Sequence, residues 1–143
     1  MKNENIITQL SIFVNNEPGR LAAVAGILRD FNINVKGFNL AESTEFGILR
    51  AIVDDPEKAF ENIKSRGVIV KKTDIIGIEI EEDSPGSLFK AADVLGKAGM
   101  NIDYGYAYNG KNFESMFVRV DDPEKAVEVL KAAGIKLIKR SEI

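Results

Sequence analysis

The segment DDPEKA occurs twice in the sequence, at residues 54–59 and unchanged at residues 121–126, an offset of 67. At the same offset, 17 of the 54 residue pairs between 18–71 and 85–138 are identical without a gap. A fixed internal period of this kind is the signature of a repeated structural unit. The chain is therefore a tandem duplication, and we assign residues 1–72 to a first domain and residues 73–143 to a second.

Both copies are predicted to contain the same six elements. Segments rich in β-branched residues predict strands, and helices are predicted between the first and second strands and between the third and fourth. The resulting order, βαββαβ, is the ferredoxin-like arrangement. Only residues 71–74 join the copies, with none of the composition of a flexible linker. We predict an α+β fold of two ferredoxin-like units packed together, with antiparallel sheets that carry their helices on one face.

The helix starts are marked by proline. Asp55-Pro56 and Asp122-Pro123 each predict an N-cap followed by a first turn. Pro18 and Pro85 are likewise predicted to lie in the first turn of the other helix of each copy. Apolar residues then recur on one helical face in each copy, at Leu21, Val24, Ala25, Leu28 and Phe31 and at Leu88, Ala91, Ala92, Leu95 and Ala98.

Composition narrows the possible functions. The chain contains neither histidine nor cysteine, so the commonest general base and the usual zinc ligands are missing. We expect no catalytic residues, no metal and no cofactor. The net charge of −3 does not favour nucleic-acid binding, and no apolar run approaches the length of a membrane span. The absence of cysteine, with no signal-like N-terminus, predicts a cytoplasmic protein.

Two sequence patterns connect the chain to a known family. Asn15-Asn16-Glu17-Pro18-Gly19-Arg20-Leu21 is followed by Asn32-Ile33-Asn34-Val35, and Glu82-Asp83-Ser84-Pro85-Gly86-Ser87-Leu88 is followed by Gly99-Met100-Asn101-Ile102. Each resembles the opening half of an ACT domain, and together the two copies resemble the stand-alone tandem ACT proteins that bind amino acids. The resemblance covers nearly the whole chain.

The resemblance implies a regulatory, allosteric function without catalysis. In such proteins an amino acid binds at an interface between two ACT units, against the loop after the first strand, the start of the first helix and the start of the second strand of a partner unit. It therefore implies a homodimer and, as a possible partner, an enzyme of amino-acid metabolism. The implied ligand-binding residues are Asn15, Asn16, Glu17, Gly19, Arg20, Leu21, Asn34 and Val35 in the first copy, and Asp83, Ser84, Gly86, Ser87, Leu88, Asn101 and Ile102 in the second.

The residue types suit that role, although each also has a structural reading. A helix N-terminus favours a carboxylate, Arg20 can bind one in a bidentate manner, and Glu17 or Asp83 can receive an ammonium group. The Pro-Gly pairs are equally well explained as turns, and the asparagines as hydrogen-bond partners of the backbone. Arg20 is replaced by Ser87 in the second copy, so two equivalent sites are not predicted.

Other functions remain open at this point. A module that regulates a biosynthetic enzyme through protein contacts alone, without a ligand, is the main alternative. An acylphosphatase-like hydrolase shares the topology, but the chain lacks a glycine-rich phosphate loop with the arginine and asparagine of that chemistry. Tyr104, Tyr106 and Tyr108 alternate along one strand face, which suits an interface better than RNA stacking.

Overall fold

The computed structural model describes residues 3–42, 46–80, 85–109 and 114–143. The chain divides into two compact units. The N-terminal unit is Thr8–Thr73, and the C-terminal unit combines Asp74–Ile143 with the segment Met1–Ile7.

The N-terminal unit is a βαββαβ unit. Its strand order is β2-β3-β1, with antiparallel pairs that place Leu10 opposite Ala51 and Phe38 opposite the same Ala51. Residues before and at the start of β4 supply the fourth strand, because the Phe13 amide donates to the Ile69 carbonyl at 2.9 Å. The elements are β1 (Ile6–Asn15), α1 (Arg20–Asp30), β2 (Val35–Glu42), β3 (Phe46–Val53), α2 (Pro56–Ser65) and the start of β4 (Val70–Ile80).

The C-terminal unit repeats this arrangement with the strand order β4-β6-β5. In place of the predicted fourth strand, Leu137 forms a single bridge with Ile78, and a 3-10 turn follows at Arg140–Glu142. The elements after β4 are α3 (Ser87–Lys97), β5 (Ile102–Asn109), β6 (Glu114–Val120) and α4 (Pro123–Ala132). The α+β, ferredoxin-like fold predicted from the duplication is confirmed.

In each unit, both helices pack on one face of the sheet. The core of the N-terminal unit joins alternate residues of β1 and β3 to Val24 and Leu28 of α1 and to Ala59 and Ile63 of α2. The C-terminal unit has the matching core around Ala91, Leu95, Ala126 and Leu130. The predicted helix face was wrong in part: Leu21, Ala25, Leu88 and Ala92 are exposed.

Residues 71–74 are not a connection but part of a continuous strand. β4 runs from Val70 to Ile80 without interruption, so one strand closes the first copy and opens the second. In its second half the residues 75–78 are all buried. Gly77 belongs to that stretch, and a Cβ there would lie 3.0 Å from Ile138 Cβ and from Phe117 Cε1.

The segment before β1 is held by the end of the chain. The Arg140 amide donates to the Glu4 carbonyl, and Arg140 Nη1 donates to the carbonyls of Asn3 and Ile6 at 2.6 and 2.8 Å. Ile6 is accordingly part of the core of the C-terminal unit. Residues 3–7 therefore complete the second copy although they precede the first.

The aspartate caps are confirmed, and they give a direct test of the duplicated fold. Asp55 Oδ1 accepts from the Lys58 amide and Asp122 Oδ1 from the Lys125 amide, each at 3.1 Å. Asp55→Ala and Asp122→Ala should each lower the free energy of unfolding by about 1 kcal/mol, because the Lys58 or the Lys125 amide then loses its hydrogen-bond acceptor. Urea unfolding checks this, and an equal loss in the exposed, non-capping control Asp121→Ala would contradict it.

Two glycines should respond to alanine with opposite signs. Gly77→Ala should lower the free energy of unfolding by roughly 1–3 kcal/mol, because the new methyl group meets Ile138 and Phe117. Gly96 lies inside α3, where a methyl group would meet no described atom within 4 Å other than its chain neighbours and the backbone of its own helix. Gly96→Ala should therefore raise the free energy of unfolding by up to about 1 kcal/mol. Thermal unfolding of both variants beside the wild type measures the difference, and a stabilised Gly77→Ala protein would refute the packing argument.

Candidate functional site

The Pro-Gly segments form turns that precede the helices. Gly19 has φ 84° and ψ −9°, the values of the third residue of a type II turn, and the Arg20 amide closes that turn on the Glu17 carbonyl at 3.3 Å. Gly86 has nearly the same conformation, with φ 95° and ψ −2°. The prediction that Pro18 and Pro85 lie in a first helical turn was therefore wrong. The helices begin two residues later, and the prolines occupy the turn position that favours a fixed φ.

These turns leave two helix N-termini uncapped. Within the described part of the chain, neither α1 nor α3 has a side-chain cap hydrogen bond or an acidic residue in its first turn. By contrast, α2 and α4 each have a capping aspartate and a glutamate in the first turn. Uncapped amides and the helix dipole give the starts of α1 and α3 a partial positive charge. Both N-termini therefore favour an anionic group.

An open cleft lies beside the start of α1 in the N-terminal unit. Its volume is about 300 Å³. Most of its wall is apolar, and the polar groups come from Asn15 and Arg20. The lining residues are Phe13, Val14, Asn15, Arg20, Ala23, Val24, Ile27, Gly67, Val68 and Ile69.

The C-terminal unit has a cleft at the equivalent place, with different chemistry. Its volume is about 470 Å³, and it is lined by Glu79, Pro85, Gly86, Ser87, Lys90, Gly134, Ile135 and Lys136. Lys136 Nζ lies 3.3 Å from Glu79 Oε2. Lys90 occupies the position equivalent to Ala23, and Lys136 occupies the position equivalent to Ile69, at the offset of 67. The wall that is apolar in the first cleft is therefore charged in the second.

Some of the predicted loop residues line the two clefts, and others lie outside them. Asn15 and Arg20 line the first cleft, and Gly86 and Ser87 line the second. Arg20 Nε also lies 3.5 Å from Glu17 Oε2, and both side chains are more than half exposed. The remaining loop residues lie nearby without lining a cleft: Asn16 donates to Glu42 at 3.3 Å, and Gly19, Leu21 and Leu88 are exposed. Asp83 and Ser84 lie outside the described residues.

The predicted residues at the start of the second strand lie elsewhere in each unit. Asn34 and Val35 line a separate cleft of about 350 Å³ beside the C-terminal half of α1, together with Ala25 and Arg29. The Asn34 amide donates to Asp54 Oδ1 at 3.2 Å. In the C-terminal unit, the Asn101 side chain donates to Asp103 at 3.0 Å, and Ile102 is half-buried. As far as the described residues go, neither unit by itself brings these residues to its turn.

Sequence reasoning missed the charged residues of the second cleft. Lys90 follows Ser87 by three residues on α3, so helical spacing could have indicated it. Glu79 and Lys136 carried no such signal, because they reach the cleft only through the packing of the last segment on β4, where the Glu79 amide donates to the Lys136 carbonyl.

The tyrosine stripe of β5 packs within its own unit. Tyr106 and Tyr108 have ring centroids 5.8 and 5.1 Å from that of Phe117, on the sheet face opposite the helices. All three tyrosines are half-buried. That face therefore already holds a packed aromatic cluster.

Two kinds of site are absent from the described ranges 3–42, 46–80, 85–109 and 114–143. No group of three or more aspartates and glutamates there has the arrangement of a metal site. No helix in those ranges is long and apolar enough to cross a membrane.

Solved structures with this fold include one whose sequence is clearly related. Protein BT0572 from Bacteroides thetaiotaomicron is 37% identical, with a TM-score of 0.89 over 99% of this chain and 97% of its own. The regulatory subunit of aspartate kinase from Thermus thermophilus, in a ligand-free form, is 16% identical, with a TM-score of 0.64 over 92% and 95% of the two chains. A structure of aspartokinase alpha and beta subunits is 17% identical, with a TM-score of 0.60 over 92% of this chain and 93% of its own.

No curated protein sequence matches the chain significantly. The family model described as an ACT domain pair matches residues 5–143, which is nearly the full length. The chain therefore belongs to the ACT domain pair family.

Proposed function

We propose that this protein is a non-catalytic regulatory subunit that binds a free amino acid and acts as a homodimer. The observation that carries the proposal is the pair of uncapped helix N-termini, each beside an open cleft. The carboxylate of an amino acid would accept hydrogen bonds from the exposed amides of the first turn, where the helix dipole stabilises negative charge.

The glycines make this approach possible. Apart from the adjacent residues, no described atom would lie within 4 Å of a Cβ placed on Gly19 or Gly86, so the backbone at each turn is open to a ligand. The ammonium group of an amino acid would pair with Glu17 in the first copy and with Glu79 in the second, each of which now lies beside a basic side chain. The side chain of the ligand would then extend along the cleft wall.

The comparisons support a regulatory role. The same fold occurs in the regulatory subunit of an aspartate kinase, an enzyme that acts on an amino acid. We infer that the present chain regulates an enzyme of amino-acid metabolism by changing its contacts with that enzyme when the ligand binds. The ligand itself would differ between the two clefts, because one is lined by apolar residues and the other by two lysines and a glutamate.

A module that works by protein contacts alone is the second candidate. Phe38, Leu40, Leu88 and Phe89 are large apolar side chains between 48% and 70% exposed. Such residues are typical of a surface that another protein covers. Ligand binding is the property that separates the two candidates.

Amino acids should therefore stabilise the protein selectively. At about 100 times its dissociation constant, the correct ligand adds about 2.7 kcal/mol, which raises Tm by roughly 5–10 °C in a chain of this size. A thermal-shift screen of the twenty amino acids, each at about 10 mM, measures this. If none of them moves Tm, the ligand-independent module becomes the better assignment.

Charge removal in one cleft should weaken one site and spare the other. Arg20→Gln should raise the dissociation constant for a ligand of the N-terminal cleft about 10- to 100-fold, because a charged hydrogen bond to the carboxylate is lost. Lys90→Gln should do the same for the C-terminal cleft.

Isothermal titration calorimetry of both variants separates the sites by stoichiometry. Lys131→Gln on α4, which lines neither cleft, is the matched control. Equal affinities in all three variants would place the ligand outside these clefts.

A further inference from the structure

The two clefts differ in charge at structurally equivalent positions of their sheets. In the N-terminal unit the Phe13 amide donates to the Ile69 carbonyl at 2.9 Å. In the C-terminal unit the Glu79 amide donates to the Lys136 carbonyl at 3.0 Å. Because Lys136 is the repeat equivalent of Ile69, the two hydrogen bonds mark the same place in the two units. The side chains at this place are both apolar in the first cleft and oppositely charged in the second.

The helix wall of each cleft shows a second difference. Lys90 of α3 lines the second cleft, and its repeat equivalent on α1, Ala23, lines the first. Both positions are exposed, so either residue reaches the cleft without distortion of the core. The described lining of the second cleft therefore contains two ammonium groups and one carboxylate, whereas that of the first contains a single guanidinium group, from Arg20.

In the first unit the charges lie at the turn, and the cleft wall is apolar. Arg20 Nε lies 3.5 Å from Glu17 Oε2, so one positive and one negative group are available there. An amino acid is a zwitterion, and its carboxylate and ammonium groups match such a pair of charges. The other lining residues are apolar except for Asn15, which leaves an uncharged environment for the side chain of the ligand. The first cleft therefore favours a ligand with a neutral side chain.

The second cleft has one positive charge more than a zwitterion requires. Glu79 can receive the ammonium group of a ligand, and the ligand carboxylate matches only one of the two lysines. Lys136 Nζ already lies 3.3 Å from Glu79 Oε2, and the described lining contains no second carboxylate for Lys90. A negative charge on the side chain of the ligand would fill this position, because complementary charges across an interface select the partner that carries them.

We propose that the C-terminal cleft selects an amino acid with an acidic side chain, and that Lys90 determines this selectivity. Lys90 follows Ser87, the first residue of α3, by three residues, which places it roughly 4.5 Å further along the helix. The two carboxylates of an acidic amino acid are separated by a comparable distance, so one can bind at the helix start and the other at Lys90. This inference rests on the proposed amino-acid binding and specifies the ligand class of one cleft.

Glutamate and glutamine are matched probes, because they differ in side-chain charge and hardly in shape. Glutamate should bind the C-terminal cleft at least about tenfold more tightly than glutamine. Lys90→Ala, which reproduces the first copy at this position, should remove the difference by weakening glutamate binding and leaving glutamine within about threefold. Lys97→Ala, an equal change of charge on α3 outside the cleft, is the matched control.

The reciprocal variant Ala23→Lys should add a second glutamate site per chain, because it brings the charge of the second cleft to the exposed helix wall of the first. Isothermal titration calorimetry measures affinities and stoichiometries, and thermal unfolding confirms that each variant is folded. Equal affinity for glutamate and glutamine, a preference for lysine, or an equal loss of both probes in Lys90→Ala would overturn the inference and leave amino-acid binding in place. If none of the twenty amino acids binds, the proposed function fails, and the inference fails with it.

Discussion

The fold depends on one strand that must satisfy two sets of neighbours. β4 closes the N-terminal unit with its first residues and opens the C-terminal unit with the rest. Its exposure changes accordingly, from mostly exposed residues at 71–74 to four consecutive buried residues at 75–78. A strand buried on both faces has to pack on both, and Gly77 is the position where Phe117 and Ile138 leave no room for a side chain. The N-terminal unit therefore has no separate fourth strand, and the C-terminal unit has no separate first strand.

Sharing a strand suits the size of the copies. A unit of this length buries only about 60% of its chain surface and is marginally stable alone. The C-terminal unit also recruits residues 3–7, held by three hydrogen bonds from Arg140. This segment contributes Ile6 to the core. Residues 3–7 thus precede the first copy in the chain but belong to the C-terminal unit.

The features that sequence could predict are those that depend on a few neighbouring residues. The repeat, the element order and the capping of α2 by Asp55 follow from local patterns. The position of Pro18 could not be predicted in this way, because proline suits both the first turn of a helix and a β-turn that precedes the helix. Only the positive φ of Gly19 decides between the two. The packing of Arg140 on residues 3–6 and the meeting of Glu79 with Lys136 are contacts between segments far apart in the chain. No periodicity encodes such contacts.

The conformation of Gly19 and Gly86 links the fold to the proposed binding. A side-chain cap requires an N-cap residue in the extended region, whereas the type II turn requires a positive φ at that same residue. The tight turn into α1 or α3 therefore excludes the serine, threonine or aspartate that would cap the helix. At α2 and α4, where no such turn precedes the helix, the cap is present in both copies. The uncapped N-termini are consequently a product of the turn itself, and they persisted while Arg20 and Ser87 diverged beside them. A bound carboxylate would supply the acceptor that the turn forbids, so ligand binding and stability of the first helical turn should rise together.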